Sequence, residues 1–129
     1  MINLSYENVM GISALLVHAA KIDEQYSNQE RNIIKGFIKS YFKDGNEDEI
    51  LKKAEKIEKN SNQLLNFTNI IKKNSIEVKS NIVEHLWKII ISDNSIDQYE
   101  SNLMRRICGL IYFPDKMCAE IKLRLINNK

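Results

Sequence analysis

Leu86-Trp87-Lys88-Ile89-Ile90-Ile91-Ser92-Asp93-Asn94-Ser95-Ile96-Asp97-Gln98-Tyr99-Glu100 decides the fold. Its first part carries three consecutive isoleucines, which cannot share one face of a surface helix, so it reads as the end of a helix buried over more than one face. Ser75 caps that helix, and Ile82, Val83, Leu86, Trp87, Ile90 and Ile91 run along it, as suits the central member of a bundle. Asp97 then stands three positions before Glu100, the spacing at which a cap and a glutamate exchange hydrogen bonds. The helix this predicts buries Leu103, Met104, Ile107, Cys108, Ile111 and Tyr112. Pro114 stops it and opens another, with Met117, Cys118, Ile121, Leu125 and Ile126 inward.

The same grammar runs upstream. Val9, Ile12, Leu15, Leu16, Ala19 and Ala20 recur at three- and four-residue steps and place a first helix from Ser5 to about Ile22, with one apolar face. Ser27 and Glu30 form the capping spacing, followed by Ile33, Ile34, Phe37, Ile38, Tyr41 and Phe42. Lys43-Asp44-Gly45-Asn46 breaks the chain, with Asn46 as the next cap. The helix from Glu47 to Lys59 is mostly charged and has only Ile50, Leu51, Ala54 and Ile57 to bury, a narrow seam. Leu64, Leu65, Phe67, Thr68, Ile70 and Ile71 mark a short fourth helix. The expectation is an all-α, single-domain bundle of about seven helices over residues 1–129.

An offset of seventy residues lays Leu16 on Leu86, Asp23 on Asp93, Glu30 on Glu100 and Asn32 on Asn102. Ile33, Ile34, Phe37 and Ile38 then fall opposite Leu103, Met104, Ile107 and Cys108. The match covers helix, loop and helix, so the chain reads as an internal pseudo-repeat of two helix-loop-helix units.

Composition fits this architecture. Apolar residues make up 43% and charged residues 28%, and one Pro with four Gly argues against a turn-rich β fold. Nineteen basic and seventeen acidic residues leave a net charge of +2, and Lys52-Lys53, Lys72-Lys73 and Arg105-Arg106 are isolated pairs on solvated helix faces. Nothing resembles a basic stripe with interleaved aromatics, so no nucleic-acid partner is expected. The sequence shows no secretory leader and no transmembrane segment, which makes the cytoplasm the expected compartment. Cys108 and Cys118 lie on apolar stripes without Cys-x-x-Cys spacing and read as buried free thiols rather than a disulfide or zinc site.

The stretch from Leu86 to Glu100 resembles the second-half signature of the tellurite-resistance TerB family, in its uncharacterised TerB-like subgroup. Arg105-Arg106-Ile107 and Ile121-Lys122-Leu123-Arg124 extend the resemblance, and Leu15-Leu16-Val17 through Asp23 and Glu30 resembles the first half. The resemblance implies an all-α fold of about seven helices and a link to tellurite, metal or stress response. Glu24 and Asn94 stand where the pattern favours Gly after each aspartate, and His18 where an acidic residue is common. Glu24 adopts left-handed geometry at a cost, so the first loop departs more from the pattern than the second.

The acidic residues have a structural reading first: Asp23 and Asp93 bonded to loop amides, Glu30 and Glu100 completing capping boxes. A second reading is a hard-cation site. Asp93, Ser95 and Asp97 present oxygens at alternate positions with Glu100 close behind, and Asp23, Gln25 and Ser27 do so more poorly in the first loop. Oxygen donors favour calcium or magnesium over zinc, and the missing central Gly and twelfth-position Glu exclude an EF-hand. The candidate metal ligands are therefore Asp23, Glu30, Asp93, Ser95, Asp97 and Glu100. His18 and His85 read as hydrogen-bonded boundary residues, and Trp87 and Tyr99 as packing residues.

These residues favour a non-enzymatic module that binds a divalent cation or a protein partner through its acidic loops. One alternative is a carboxylate- or metal-dependent enzyme, against which stands the absence of a nucleophile-base set or a phosphate-cradling glycine loop. Another is a protein-interaction domain meeting its partner in trans, as the resemblance to TerB-like domains fused to chaperone modules implies.

Overall fold

The computed structural model describes residues 6–21, 26–42, 46–60, 68–69, 71–91 and 98–127, and the side chains of all of these but 98–100. Six helices are described and, among these residues, no strand: α1 (Tyr6–Ala20), α2 (Asn28–Tyr41), α3 (Glu47–Lys59), α4 (Ile76–Ile91), α5 (Gln98–Leu110) and α6 (Asp115–Asn127). The short helix expected around Leu64 to Ile71 lies mostly outside the described residues. Within it, Thr68 is buried and its carbonyl accepts from Lys72 N at 3.0 Å.

The caps follow the sequence signals closely. Ser27 Oγ accepts from Glu30 N at 3.2 Å while Glu30 Oε1 accepts from Ser27 N at 2.9 Å, a complete capping box. Ser75 Oγ accepts from Val78 N at 3.3 Å and starts α4. Asn46 occupies the cap of α3 but makes no side-chain capping bond.

Two helices form the interior. α4 buries Val78, Ile82, Val83, Leu86, Trp87 and all three of Ile89, Ile90 and Ile91, as expected of a central helix. α1 is more enclosed than its stripe predicts: every residue from Val9 to Ala20 except His18 is buried. Gly11, Ser13 and Ala14 explain this, because small side chains let α2, α3 and α4 approach the faces that the large residues leave. Ser13 Oγ finds no hydrogen-bond partner among the described residues.

The outer helices expose three residues assigned inward by periodicity: Ile57, Tyr112 and Ile126. The seam of α3 is confined to Ile50, Leu51 and Ala54. Tyr112 lies beyond the end of α5 and is 71% exposed with φ 60°. Its N–H meets Gly109 O at 3.4 Å and the next N–H, of Phe113, meets Cys108 O at 2.8 Å. This is a Schellman ending, with tyrosine in the left-handed position usually given to glycine. No described helix is long and apolar enough to cross a membrane.

Candidate functional site

The antiparallel register of α2 and α4 brings the start of α2 and the end of α4 to one end of the bundle. The Phe37 and His85 rings lie 5.2 Å apart edge to face, and one turn away Asn81 Nδ2 donates to Tyr41 Oη at 2.8 Å. Each step toward the start of α2 is thus a step toward the end of α4, and the same register sets Ile91 level with Arg31 in the first turns of α2. Lys21, just past α1, and Ser27, the cap of α2, belong to this end as well. The ends of α1 and α4 and the start of α2 are therefore neighbouring helix termini.

A charged network borders these termini. Glu58 of α3 takes Lys21 Nζ at 2.9 Å and His18 Nδ1 at 3.3 Å. Glu55, one turn earlier, accepts from Tyr26 Oη at 2.6 Å and lies 3.3 Å from Arg31 Nε. The Arg31 Nε contact is an ion pair without hydrogen-bond direction. Burial and then the Glu55 carboxylate push the Tyr26 phenol up from its ordinary pKa of 10. Lys21 and Arg31 also sit about 6 Å from the Tyr26 ring centroid, at 6.0 and 5.9 Å. The network ties α1, α2 and α3 together, and its two glutamates are neutralised by cations.

A second chemically distinctive place lies where α4, α5 and α6 meet. A pocket of about 500 Å³ is lined by Trp87, Met104, Arg105, Asp115, Cys118 and Lys122, among others. Cys118 is 7% exposed at its wall, and Cys108 is fully buried behind it. Both thiols are free. Trp87 Nε1 donates to Cys118 Sγ at 3.4 Å, and Lys122 Nζ stands 5.2 Å from the indole ring centroid. The hydrogen bond from Cys108 lowers the Cys118 pKa to about 7, helped by those from Trp87 and the Lys122 charge, against burial and Asp115. The same bond, and then burial, raises Cys108.

A family model described as tellurite resistance protein TerB matches residues 10–123. The chain belongs to the TerB family. No curated protein and no solved structure matches it.

The TerB match takes in both loop regions and the thiol pocket. Of the six candidate ligands, Asp23, Asp93, Ser95 and Asp97 lie outside the described residues, as does the side chain of Glu100. Glu30 is described: it is 5% exposed, and its Oε1 accepts from both the amide and, at 3.1 Å, the hydroxyl of Ser27. Among the described residues no group of three His, Cys, Asp or Glu side chains could hold a metal ion. His18 pairs with Glu58, and His85 Nδ1 lies 2.8 Å from Asn81 O, so both histidines have structural partners. Trp87 is a core residue at 4% exposure.

The pocket beside Cys118 is what the linear reading missed. Cys108 and Cys118 read correctly as buried, but the place of Cys118 on a pocket wall depends on how the chain reverses before it. The available signal was Pro114 between two stripes, where one helix ends and the next begins.

Proposed function

We propose that this TerB-family chain is a non-enzymatic binding module whose two acidic loops together take a divalent cation, calcium or magnesium. The donors are Asp93, Ser95, Asp97 and Glu100 of the second unit, joined by Asp23 and Glu30 of the first. The observation that supports this reading is the antiparallel pairing of α2 with α4, which sets the start of α2 beside the end of α4, the described residues that follow the first acidic stretch and precede the second. Joint action of the two stretches with matched aspartates is part of the proposal, in keeping with a pseudo-repeat of two helix-loop-helix units. Carboxylate and hydroxyl oxygens suit hard cations that accept six to eight ligands of flexible geometry. Glu30 enters this scheme with one oxygen already given to its helix cap.

A binding role is favoured over an enzymatic one by the described carboxylates at this end. Glu55 and Glu58 are engaged by Tyr26, Arg31 and Lys21 in contacts that tie α1, α2 and α3 together, a structural task. Titration of the isotope-labelled chain with calcium and with magnesium tests the proposal. Saturable amide shifts at Asp23, Asp93, Ser95 and Asp97 are expected, weakened by Asp93→Asn and Asp97→Asn and, to a lesser degree, by Glu30→Gln. No shift at these amides up to about 1 mM metal, the weak end for calcium modules, overturns it.

A further inference from the structure

We propose that the groove between α5 and α6 binds a small organic monoanion, a single carboxylate carried on an apolar body. Helical spacing builds the groove. On α6 the lining residues Asp115, Cys118, Ala119 and Lys122 fall at positions i, i+3, i+4 and i+7, one face of the helix. On α5, Ser101, Met104 and Arg105 fall at i, i+3 and i+4, again one face. Among the described residues α6 packs closely along α4, while α5 touches both helices only sparsely. The cavity of about 500 Å³ lies where α5 stands off, and its size falls in the range that encloses small ligands.

The wall is divided by chemistry. Trp87 and Met104 are core residues, 4% and 1% exposed, and with Cys118 and Ala119 they make an apolar floor. The indole N–H of Trp87 is already given to Cys118 Sγ at 3.4 Å, so the floor offers a ligand contact area rather than a polar handle. The cations stand at the rim. Arg105 is exposed and Lys122 half-buried, and neither enters an ion pair among the described residues. Lys122 Nζ lies 5.2 Å from the Trp87 ring centroid, a cation–π contact that keeps the ammonium at the groove.

Charge selects the ligand. The two cations exceed the single carboxylate of the wall, Asp115, by one charge, so an anion is attracted but a second negative charge finds no cation left to meet it. Asp115 and Lys122 are seven positions apart on α6, about 10 Å along its axis, and a carboxylate at Lys122 is clear of Asp115. Arg105 presents a planar fork that matches both oxygens of a carboxylate, and Lys122 adds a point charge from the other helix.

Trp87 is the sole tryptophan, so its emission reports the groove without a label. The test titrates the purified full chain, at constant ionic strength, with sodium benzoate, with its neutral counterpart benzamide and with sodium acetate, and maps the benzoate site by amide NMR. Benzoate should change Trp87 emission saturably, with the largest amide shifts at Met104, Arg105, Cys118, Ala119 and Lys122. Benzamide should bind roughly tenfold more weakly, and Arg105→Gln should weaken benzoate by a similar factor. Asp115→Asn should tighten benzoate roughly twofold. Ala119→Phe, at an exposed position on the groove wall, should abolish binding. The inference is overturned by the absence of any saturable change up to about 10 mM benzoate, the weak end for a ligand of this size. Benzamide or acetate binding as tightly as benzoate overturns it too, as do benzoate shifts centred away from these residues. The wild-type titrations need no variant to fold.

Discussion

Replacing Tyr112 by glycine should stabilise the protein, although it removes an aromatic side chain. At φ 60° the Cβ of an L-residue crowds its own carbonyl, at a cost of about 1–2 kcal/mol. The ring is 71% exposed, so truncation forfeits little buried area. Glycine's looser unfolded chain takes back about 0.5–1 kcal/mol. The net gain is about 0.5–1 kcal/mol. Unfolding entropy near 2.1 cal/mol/K per residue over 129 residues makes this a rise in Tm of roughly 2–4 °C. Tyr112→Ala keeps the Cβ and its strain and should stay within about 0.5 kcal/mol of wild type. Thermal and urea unfolding followed by far-ultraviolet circular dichroism measures all three proteins. A glycine variant no more stable than the alanine variant would refute the assignment of strain, and one less stable than wild type would show that the ring is a packing residue.

Further expectations rest on other described contacts. Ser13→Ala removes a fully buried hydroxyl without a described partner and should raise stability by about 1 kcal/mol in urea unfolding; a loss of that size would reveal a bond that the hydroxyl makes. Glu30→Ala opens the capping box and should cost about 1–2 kcal/mol, whereas Glu30→Gln keeps an acceptor for Ser27 and should cost less than half as much. Equal losses would show that charge rather than capping matters there. Burial is the main cause lowering the His85 pKa below 6.5, so below that value the unfolded chain takes up a proton that the folded chain resists. Stability is accordingly full at pH 7 and falls as the pH drops from 6.5 through the folded-state pKa; His85→Gln should flatten this part of the urea-midpoint profile, and an unchanged slope would assign it to other groups.

Helix existence was legible in the sequence because each helix carries its own stripe and most carry a cap that needs no tertiary partner. The Ser27–Glu30 box and the Ser75 cap are local chemistry and appear as read. The degree of burial was less legible. The large residues of α1 lie on one face, but Gly11, Ser13 and Ala14 bury the rest because neighbours approach small side chains, and periodicity does not weigh that. Ile57, Tyr112 and Ile126 continue apolar stripes past the point where a neighbouring helix still covers them. At the candidate site, the matched aspartates were visible as an offset in the chain, but the pairing of the start of α2 with the end of α4 emerges only from the Phe37–His85 and Tyr41–Asn81 contacts. Cys118 and Cys108 show the reverse: their types and burial were readable, while the bond from Trp87 to Cys118 is a product of the reversal at Tyr112 and Pro114.

The enclosure of α1 has a consequence for how the chain reaches this state. Its side chains from Val9 to Ala20 are covered partly by α4, which is synthesised about seventy residues later. At 5–20 residues per second, the nascent α1 waits roughly 4–14 s for that cover. During biosynthesis an apolar helix therefore emerges well before its last neighbour.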